Sequence, residues 1–483
     1  MRRLPRRAFL MGTSALAFAA VTPRTSRAAE PVLSDEAREG MRRAADYFRS
    51  KVAVHGGYVY HYALDLGRRW GEGEAGPEEV WVQPPGTPTV GFAYLKAHEA
   101  TGDPFYLDAA REAASALMHG QLESGGWLHS IDFDPKGPRA ARYRNGKGKP
   151  RGRNTSSLDD GVSQEAIRFL AHLDRREGFR PGPVHEAVTS ALEALLRAQF
   201  PNGGFPQVWT GPVPARPVVK ASYPVYDWRT EGKIKNYWDM YTLNDGLAGT
   251  VTRTLADAHE IYRDDRFKKA YSRLGDFLAL AQMPDPQPAW AQQYDEQMRP
   301  IWARRFEPAA ITGGESQDVL ETLIKIHRLT GDPKYLEPIP RALAYLKRSL
   351  LPDGRLARYY ELRTNRPLYM KRTGDEYHLT YDDSDLPSHY AFKVPPRLDA
   401  IEKAYQNASR PLPESRPDPA TLERRVRSVL RDLDDQGRWV VTYRGERLVG
   451  QPKLAADVRI LSSEVFARNL ETLSRYVIAT SQK

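Results

Sequence analysis

An imperfect internal repeat constrains the fold of this chain more than any other feature of its sequence. Residues 101–107 read TGDPFYL, and residues 330–336 read TGDPKYL. Each copy opens a helical stretch rich in Ala and Leu. Both stretches, and two similar ones, end in a glycine turn at residues 124–127, 202–205, 352–355 or 435–439. Because glycine lets a helix stop in a left-handed conformation, the pattern predicts helical units that repeat with their turns on one side.

The periodicity of apolar residues agrees with helical repeats. Leu243, Leu247, Val251 and Leu255 recur every four residues, which is the spacing of one helix face. We therefore expect an all-α fold, specifically an α/α toroid of helix pairs, with long functional loops at one rim. The long loops are residues 132–154, 206–239 and 355–393. The alternative is a helical solenoid or bundle that carries no site.

Composition narrows the possible chemistry. The 483 residues include no cysteine, so thiolate metal sites, disulfides and thiol nucleophiles are excluded. A bound metal must then be held by oxygen or imidazole. The net charge of +10 resembles that of a nucleic-acid-binding protein. However, residues 1–29 carry six Arg and no acid, and their removal leaves 65 basic and 61 acidic groups. We therefore expect no nucleic-acid partner.

The first 29 residues are typical of a Tat signal peptide. Arg6 and Arg7 are followed by an apolar run over residues 11–21 and by a small-x-small site at residues 26–28. The sequence therefore predicts export of the folded protein to the periplasm or the medium, with no membrane anchor. The remaining residues, 30–483, are expected to form one domain and a monomer. Its core motifs span residues 40–405, and a helix–turn–helix unit at 420–480 closes it.

Two acidic motifs precede predicted helices. Residues 158–161 read LDDG and residues 243–246 read LNDG. Either motif alone is as well explained by helix N-capping. Together, on one rim of a toroid, Asp159 and Asp245 would suit a hard, oxygen-ligated cation such as calcium. The same two carboxylates leave open a glycoside hydrolase that works with an acid and a base.

A third motif combines cations with aromatic rings. Residues 357–375 contain four arginines and a lysine interleaved with tyrosines. Guanidinium groups bind carboxylates in a forked geometry, so the pattern favours a site for sugar acids. Arg304 and Arg305, with Glu315, can contribute to the same site.

These motifs resemble those of the family 10 polysaccharide lyases, the pectate lyases. NGGFPQ at residues 202–207 is similar to their NGGWPQ, and LNDG at 243–246 to their FND segment. LDDGVS at residues 158–163 resembles their IDN-x-AT. WAR at 302–304 with GES at 314–316, and the long run at 357–374, resemble their WAR…GES and ARFYE-x-x-TNRP…RDG stretches. The resemblance covers most of residues 40–405.

The resemblance implies an α/α toroid that uses calcium to cleave polygalacturonate by β-elimination. It implies that Asp159 and Asp245 bind calcium and that Arg372 is the catalytic base. It further implies that uronate carboxylates are bound by Arg304, Arg358 and Arg366.

The chain departs from the family pattern in three motifs. Asp160 replaces the amide of IDN, Thr373 stands in place of the acid of RDG, which is displaced or replaced by Asp375, and Phe205 replaces the tryptophan of WPQ. These changes leave open a different uronate polymer as substrate, or a catalytically silent relative that only binds uronates.

Overall fold

The computed structural model describes residues 33–387, 390–411, 418–443, 451, 454 and 457–481. The predicted signal peptide lies outside these residues, so Tat export and cleavage stay predictions. No helix among the described residues is both long and apolar enough to cross a membrane.

Within the described residues the chain forms twelve α-helices. A π-turn at Phe48–Val52 extends the first helix. The helices are α1 (Leu33–Tyr47), α2 (Thr87–Thr101), α3 (Pro104–Gly120), α4 (Val162–Arg176), α5 (Pro183–Arg197), α6 (Leu247–Tyr262), α7 (Asp265–Leu280), α8 (Gly313–Thr330), α9 (Ile339–Arg348), α10 (Leu398–Gln406), α11 (Pro419–Arg431) and α12 (Ser463–Ser481).

The strands are short and lie in the segments between helices. Half of them form two-stranded antiparallel pairs, and the other half form two four-stranded antiparallel sheets. They are β1 (His61–Ala63), β2 (Arg69–Trp70), β3 (Glu79–Trp81), β4 (Ser130–Asp132), β5 (Ser156–Ser157), β6 (Val208–Trp209), β7 (Tyr241–Thr242), β8 (Gln293–Tyr294), β9 (Ile311–Thr312), β10 (Leu356–Ala357), β11 (Tyr359–Tyr360), β12 (Pro367–Thr373), β13 (Glu376–Thr380), β14 (Lys393–Val394), β15 (Val440–Thr442) and β16 (Arg459–Ser462).

The helices form two concentric layers. The inner helices α12, α2, α4, α6 and α8 each pack against the next, and α10 packs on α8. The outer helices α3, α5 and α7 each pack against the inner helix that precedes them in sequence. The C-terminal helices α11 and α12 pack against α1. This arrangement confirms the predicted all-α class and the α/α toroid.

The internal repeat marks the joint between an inner and an outer element. Helices α2 and α8 end at Gly102 and Gly331, which have φ values of 71° and 75°. In the first copy the Asp103 carboxylate accepts the N–H of Phe105 at 2.9 Å and caps α3. Its carbonyl lies 3.0 Å from the His98 ring at the end of α2. The repeated sequence therefore specifies a turn in which glycine ends one helix and the Asp side chain caps the start of the next.

The strand pairs collect the functional segments at one rim. β3–β4, β5–β6, β7–β8 and β9–β11 each hold the segment that leads into an inner helix. Two buried tryptophans anchor these segments, since Trp127 in the first glycine turn and Trp290 ahead of β8 donate to the carbonyls of Leu117 and Leu278 at 2.7 Å. The N-terminal ends of the inner helices thus face the same rim.

Candidate active site

Three carboxylates meet at this rim, just ahead of α4 and α6. Asp159, Asp160 and Asp245 each present an oxygen, and these oxygens all lie within 4.8 Å of one another. The two predicted ligands, Asp159 and Asp245, are therefore brought together. We call the three residues the acidic cluster.

The backbone shows how the two acidic motifs correspond. Asp160 and Asp245 both have left-handed backbones, with φ values of 47° and 51°, and each precedes a glycine in the same region. Asp160 is therefore the equivalent of Asp245, and Asp159 the equivalent of Asn244. Neither α4 nor α6 receives a side-chain cap hydrogen bond. The N-capping interpretation of the motifs is therefore wrong.

Sequence analysis missed Asp160 as a member of the cluster. Placing LDDG and LNDG in register, residue by residue, would have identified it. Asp160 also stands where the resembled family has an amide, so the cluster here contains one more acid than that pattern implies.

Like charges crowd the acidic cluster. Burial raises the pKa of Asp245 well above its ordinary value, and Asp160 and Asp159 raise it further. Desolvation within the cleft, with the charges of Asp159 and Glu72, raises the pKa of Asp160 to about 7. Three carboxylates this close cannot all ionise without a compensating cation. In addition, Asp159 Oδ1 is buried and has no hydrogen-bond partner among the described residues. An oxygen-only donor set of this kind suits a hard divalent cation.

Arg304 lies directly against the acidic cluster. Its Nη2 is 3.0 Å from Asp159 Oδ2, and its backbone N–H donates to the buried Glu307 carboxylate at 3.1 Å. Burial lowers the pKa of Arg304, but the charges of Glu307, Asp159 and Asp245 outweigh that effect and raise it above its ordinary value. The Arg304 guanidinium is therefore protonated and fixed in position by its ion pair with Asp159.

Arg358 approaches the cluster from the other side. Its guanidinium lies 2.8 Å from the buried Glu315 carboxylate and 3.9 Å from Asp245. It also lies over the ring of Tyr390, 4.2 Å from the centroid. The second oxygen of Glu315 has no hydrogen-bond partner in the described part of the chain. Arg358 therefore bridges two acids, as a carboxylate-binding arginine does before its ligand arrives.

A buried hydrogen-bond network connects the two arginines, and sequence analysis did not find it. Gln292 Nε2 lies 3.2 Å from both Glu315 Oε1 and the Tyr390 hydroxyl. The Tyr390 hydroxyl in turn donates to Glu307 at 3.2 Å. The Tyr359 hydroxyl donates to Gln292 Oε1, also at 3.2 Å. No sequence signal marked Gln292, because a single glutamine within a loop carries no periodicity or motif.

Arg372 occupies a different place. It lies on β12 of a hairpin formed with β13, within the third long loop. Its Nε donates to the Gly374 carbonyl at 2.7 Å, and its Nη2 is 3.2 Å from Asp375. The side chain is 43% exposed. Among the described residues Arg372 has no contact with the acidic cluster. The hairpin is nevertheless attached to the Arg304 segment, since Arg305 donates to the Asp375 carbonyl at 3.3 Å.

Arg366 also lies away from the cluster. Its guanidinium stacks on the ring of Tyr381 at 3.6 Å, and its backbone carbonyl accepts the N–H of Glu361 at 2.8 Å. Of the four predicted arginines, the structure therefore brings Arg304 and Arg358 to the carboxylates and leaves Arg366 and Arg372 on the neighbouring loop.

Comparison with known proteins agrees with the motifs. Residues 121–355 match the model of the family described as "Pectic acid lyase". This range contains both acidic motifs, the segment around Arg304 and the start of α8. A comparison with curated protein sequences gives no match.

Several solved structures have similar folds. A variant of the family 10 polysaccharide lyase of Cellvibrio cellulosa, in complex with trigalacturonic acid, is 19% identical, with a TM-score of 0.46. The similarity covers 67% of this chain and 98% of that one. The cellobiose 2-epimerase of Spirochaeta thermophila is 16% identical over 93% of this chain and 97% of its own, with a TM-score of 0.44. A family 76 α-mannanase of Bacteroides thetaiotaomicron is 10% identical over 94% and 98%, with a TM-score of 0.42.

The family match therefore rests on the same segments that assemble the acidic cluster and place Arg304 beside it. On this basis the segment at residues 121–355 is assigned to the pectic acid lyase family, and the protein is a polysaccharide lyase.

Proposed function

We propose that the protein cleaves polygalacturonate by calcium-assisted β-elimination and releases 4,5-unsaturated oligouronates. The observation that carries the proposal is the position of Arg304 and Arg358, each in contact with a member of the acidic cluster. A cation and two guanidinium groups in one cleft can together neutralise the carboxylate of a uronate whose C5 proton must be removed.

The acidic cluster fits calcium. Its donors are all carboxylate oxygens, and Asp159 has a buried oxygen without a partner. Asp159, Asp160 and Asp245 would hold the ion. When bound, calcium would draw electron density from the substrate carboxylate and so make the neighbouring C5–H more acidic.

The arginines would bind and orient the uronate. Arg304 and Arg358 would exchange their contacts with Asp159 and Glu315 for the substrate carboxylate. A base then takes the C5 proton, the C–H electron pair forms the C4–C5 double bond, and the C4–O bond breaks. The departing oxygen, which belongs to the next sugar, takes up a proton from the solvent or from a nearby acid.

The base is assigned to Arg372 by its place in the long arginine motif, and this stays a prediction. The geometry favours a second candidate, Arg304, because its guanidinium already lies in the cleft, 3.0 Å from Asp159. A guanidinium becomes a base only when its pKa falls. Of the acids that raise the pKa of Arg304, Asp159 and Asp245 would lose that effect once a cation engages them, whereas Glu307 would keep it.

The glycoside hydrolase alternative fits the cluster less well. Its oxygens approach one another within 4.8 Å, whereas hydrolytic carboxylate pairs stand about 5 to 9.5 Å apart. A hydrolase would also have no use for the two arginines. New reducing ends without unsaturated ends would support it against the lyase.

The test is the ultraviolet absorbance of polygalacturonate mixed with residues 30–483, with calcium and with a chelator. We expect a calcium-dependent rise, since the unsaturated product absorbs and the substrate does not. The rates of Arg304→Ala and Arg372→Ala are compared at substrate concentrations that give equal occupancy of the two variants. Full activity in the Arg372 variant would remove it as the base, and a flat trace for the unaltered protein with all uronate polymers would refute the lyase proposal.

We also propose export through the Tat route and a monomer made of one domain, residues 30–483. The support is the twin-arginine segment at residues 6–7. Replacing both arginines by lysine is expected to leave the protein unprocessed in the cytoplasm, and the mass of the secreted form gives the cleavage site. Light scattering of the purified protein checks the monomer.

A further inference from the structure

A cleft of about 280 Å³ extends from the acidic cluster. Its walls include Glu72, Trp81, Gln83, His129, Asp159 and Asp160. We call it the Glu72 cleft. The first three of these residues come from the β2–β3 region, which precedes the segment matched by the family model at residues 121–355. The cleft therefore combines a part of the chain outside that match with the acidic cluster itself.

The wall of the Glu72 cleft contains a buried hydrogen-bond donor without a partner, and a second such donor belongs to a ring packed against it. The Trp81 indole N–H and the Tyr60 hydroxyl belong to residues that are only 1% and 4% exposed, and neither has a partner among the described residues. The rings of Tyr60 and Trp81 lie 6.2 Å apart, and those of Trp81 and His129 lie 5.6 Å apart. Burial, with the charges of Glu72 and Asp160, raises the pKa of Tyr60. Native proteins rarely leave such donors unpaired, so their presence points to a ligand with oxygen atoms.

The same cleft presents acceptors. Gln83 Nε2 donates to Glu72 at 2.8 Å and to Asp160 at 3.0 Å, and so holds the two carboxylates on either side of one amide. Carboxylates and amides arranged in this way accept hydrogen bonds from sugar hydroxyls. Glu72, which is not one of the proposed calcium ligands, repels a uronate carboxylate, because like charges at short distance are unfavourable.

The basic side chains near the cleft are either paired with acceptors or uncharged. Arg139, which also lines it, pairs with the buried Glu79 carboxylate and donates to the Glu74 carbonyl at 3.0 Å. Burial and the charges of Arg139 and Arg153 lower the pKa of His129 to about 4, so its ring is neutral at ordinary pH. Of the described residues that line this cleft, none offers a free positive charge to a uronate.

We propose that the Glu72 cleft binds an uncharged sugar unit next to the uronate that is cleaved, so that the preferred substrate is an acidic polysaccharide in which neutral sugars alternate with uronates. The proposal rests on the lyase function proposed above. Trp81 would donate to a sugar oxygen, and Glu72 would accept from the sugar hydroxyls. A uronate in the same place would bring its carboxylate against Glu72.

The test compares two polymers with the intact exported protein and calcium. One is polygalacturonate, and the other is a backbone of alternating galacturonate and rhamnose. We expect kcat/KM for unsaturated product to be at least 10-fold higher on the alternating polymer. Glu72→Gln should raise kcat/KM on polygalacturonate about 3- to 10-fold. On the alternating polymer it should lower kcat/KM by up to about 3-fold, because the amide oxygen still accepts from a sugar hydroxyl but carries no charge. Trp81→Phe should lower kcat/KM on the alternating polymer by about 10-fold and leave kcat/KM on polygalacturonate unchanged.

Glu74→Gln is the matched control. It removes a carboxylate from the same segment, where the exposed Glu74 pairs with Arg68. The ratio of the kcat/KM values for the two polymers should stay unchanged. Circular dichroism and the midpoint of thermal unfolding show whether each variant is folded. If Trp81→Phe does not fold, Glu72→Gln alone tests the proposal.

Three results would overturn the proposal. The first is a preference for polygalacturonate that Glu72→Gln leaves unchanged. The second is a calcium titration in which Glu72→Gln loses one of two bound ions, because the cleft would then be a cation site. The third is calorimetric binding of trigalacturonate that is as tight as that of the alternating oligosaccharide. Calorimetry also separates the two proposals, since it reports on the cleft even if neither polymer is cleaved.

Discussion

Arg304 Nη2 lies 3.0 Å from Asp159 Oδ2, although the two residues are 145 positions apart in the sequence. Both side chains are about 30% exposed, at 30% and 29%. The pair therefore stands at the mouth of the site, where a substrate carboxylate can replace Asp159 as the partner of the guanidinium. The acid that we propose as a cation ligand and the arginine that we propose as a substrate ligand thus share one cleft.

Replacing Arg304 should impair catalysis strongly. Arg304→Ala removes a positive charge from the place where negative charge develops on the substrate, and such a loss typically lowers kcat about 10² to 10³-fold. Initial rates of the ultraviolet assay at saturating polygalacturonate measure it. Arg341→Ala is the control, because that side chain is 56% exposed and pairs with Asp285 at 3.0 Å, outside the site. A kcat for Arg304→Ala within twofold of the unaltered enzyme would contradict the expectation.

The additional acid in the cluster should tighten cation binding. Asp160→Asn lowers the number of ligand charges from three to two and restores the amide found in the resembled family. We expect calcium affinity to fall about 10-fold at pH 8, since ligand charge tunes the affinity of such sites. Isothermal titration calorimetry gives the value. Asp239→Asn, an acid away from the cluster, should bind calcium as the unaltered protein does, and equal affinity for Asp160→Asn would show that Asp160 is no ligand.

The stability of the calcium-free protein should fall as the pH rises. The carboxyl of Asp160 titrates at about 7 in the folded protein, against 3.8 as its ordinary value. The folded state therefore holds the proton more tightly than the unfolded state, and this stabilisation is lost between about pH 4 and pH 7. Added calcium should raise the midpoint of thermal unfolding more at pH 8 than at pH 5.

Differential scanning fluorimetry with a chelator or with calcium, at both pH values, tests this expectation. Asp160→Asn should reduce the pH dependence in the chelator. Stability of the chelated protein that rises steadily from pH 4 to pH 7 would contradict the assignment.

Breaking the Arg358–Glu315 pair should destabilise the fold as well as the site. The Glu315 side chain is 3% exposed and lies 2.8 Å from Arg358. Glu315→Gln leaves the guanidinium without its buried counter-charge, and we expect a loss of about 2 to 3 kcal/mol in the free energy of unfolding. Urea denaturation measures it.

Glu321→Gln is the control for this pair. Glu321 is 47% exposed and pairs with Arg397 at 3.1 Å, so its loss should cost less than about 1 kcal/mol. Equal destabilisation by the two substitutions would mean that burial of Glu315 contributes nothing.

The sequence by itself determined the class of fold. The repeat at residues 101–107 and 330–336 and the apolar stripe on α6 are local signals, because helix periodicity and capping depend on residues only a few positions apart. The sequence also brought Asp159, Asp245, Arg304 and Arg358 forward as candidates, through motifs whose residue types suit a sugar acid and a cation.

Only the tertiary structure decided which of these candidates meet. It placed Asp160 in the cluster through a left-handed backbone equivalent to that of Asp245, and it placed Arg372 on an exposed hairpin. It also brought Gln292, Tyr390 and Glu307 into one hydrogen-bond network, which no sequence motif predicted. The physical reason is that hydrogen bonds and ion pairs between distant segments depend on how loops return to the rim of the toroid, and that path is set by packing rather than by local sequence.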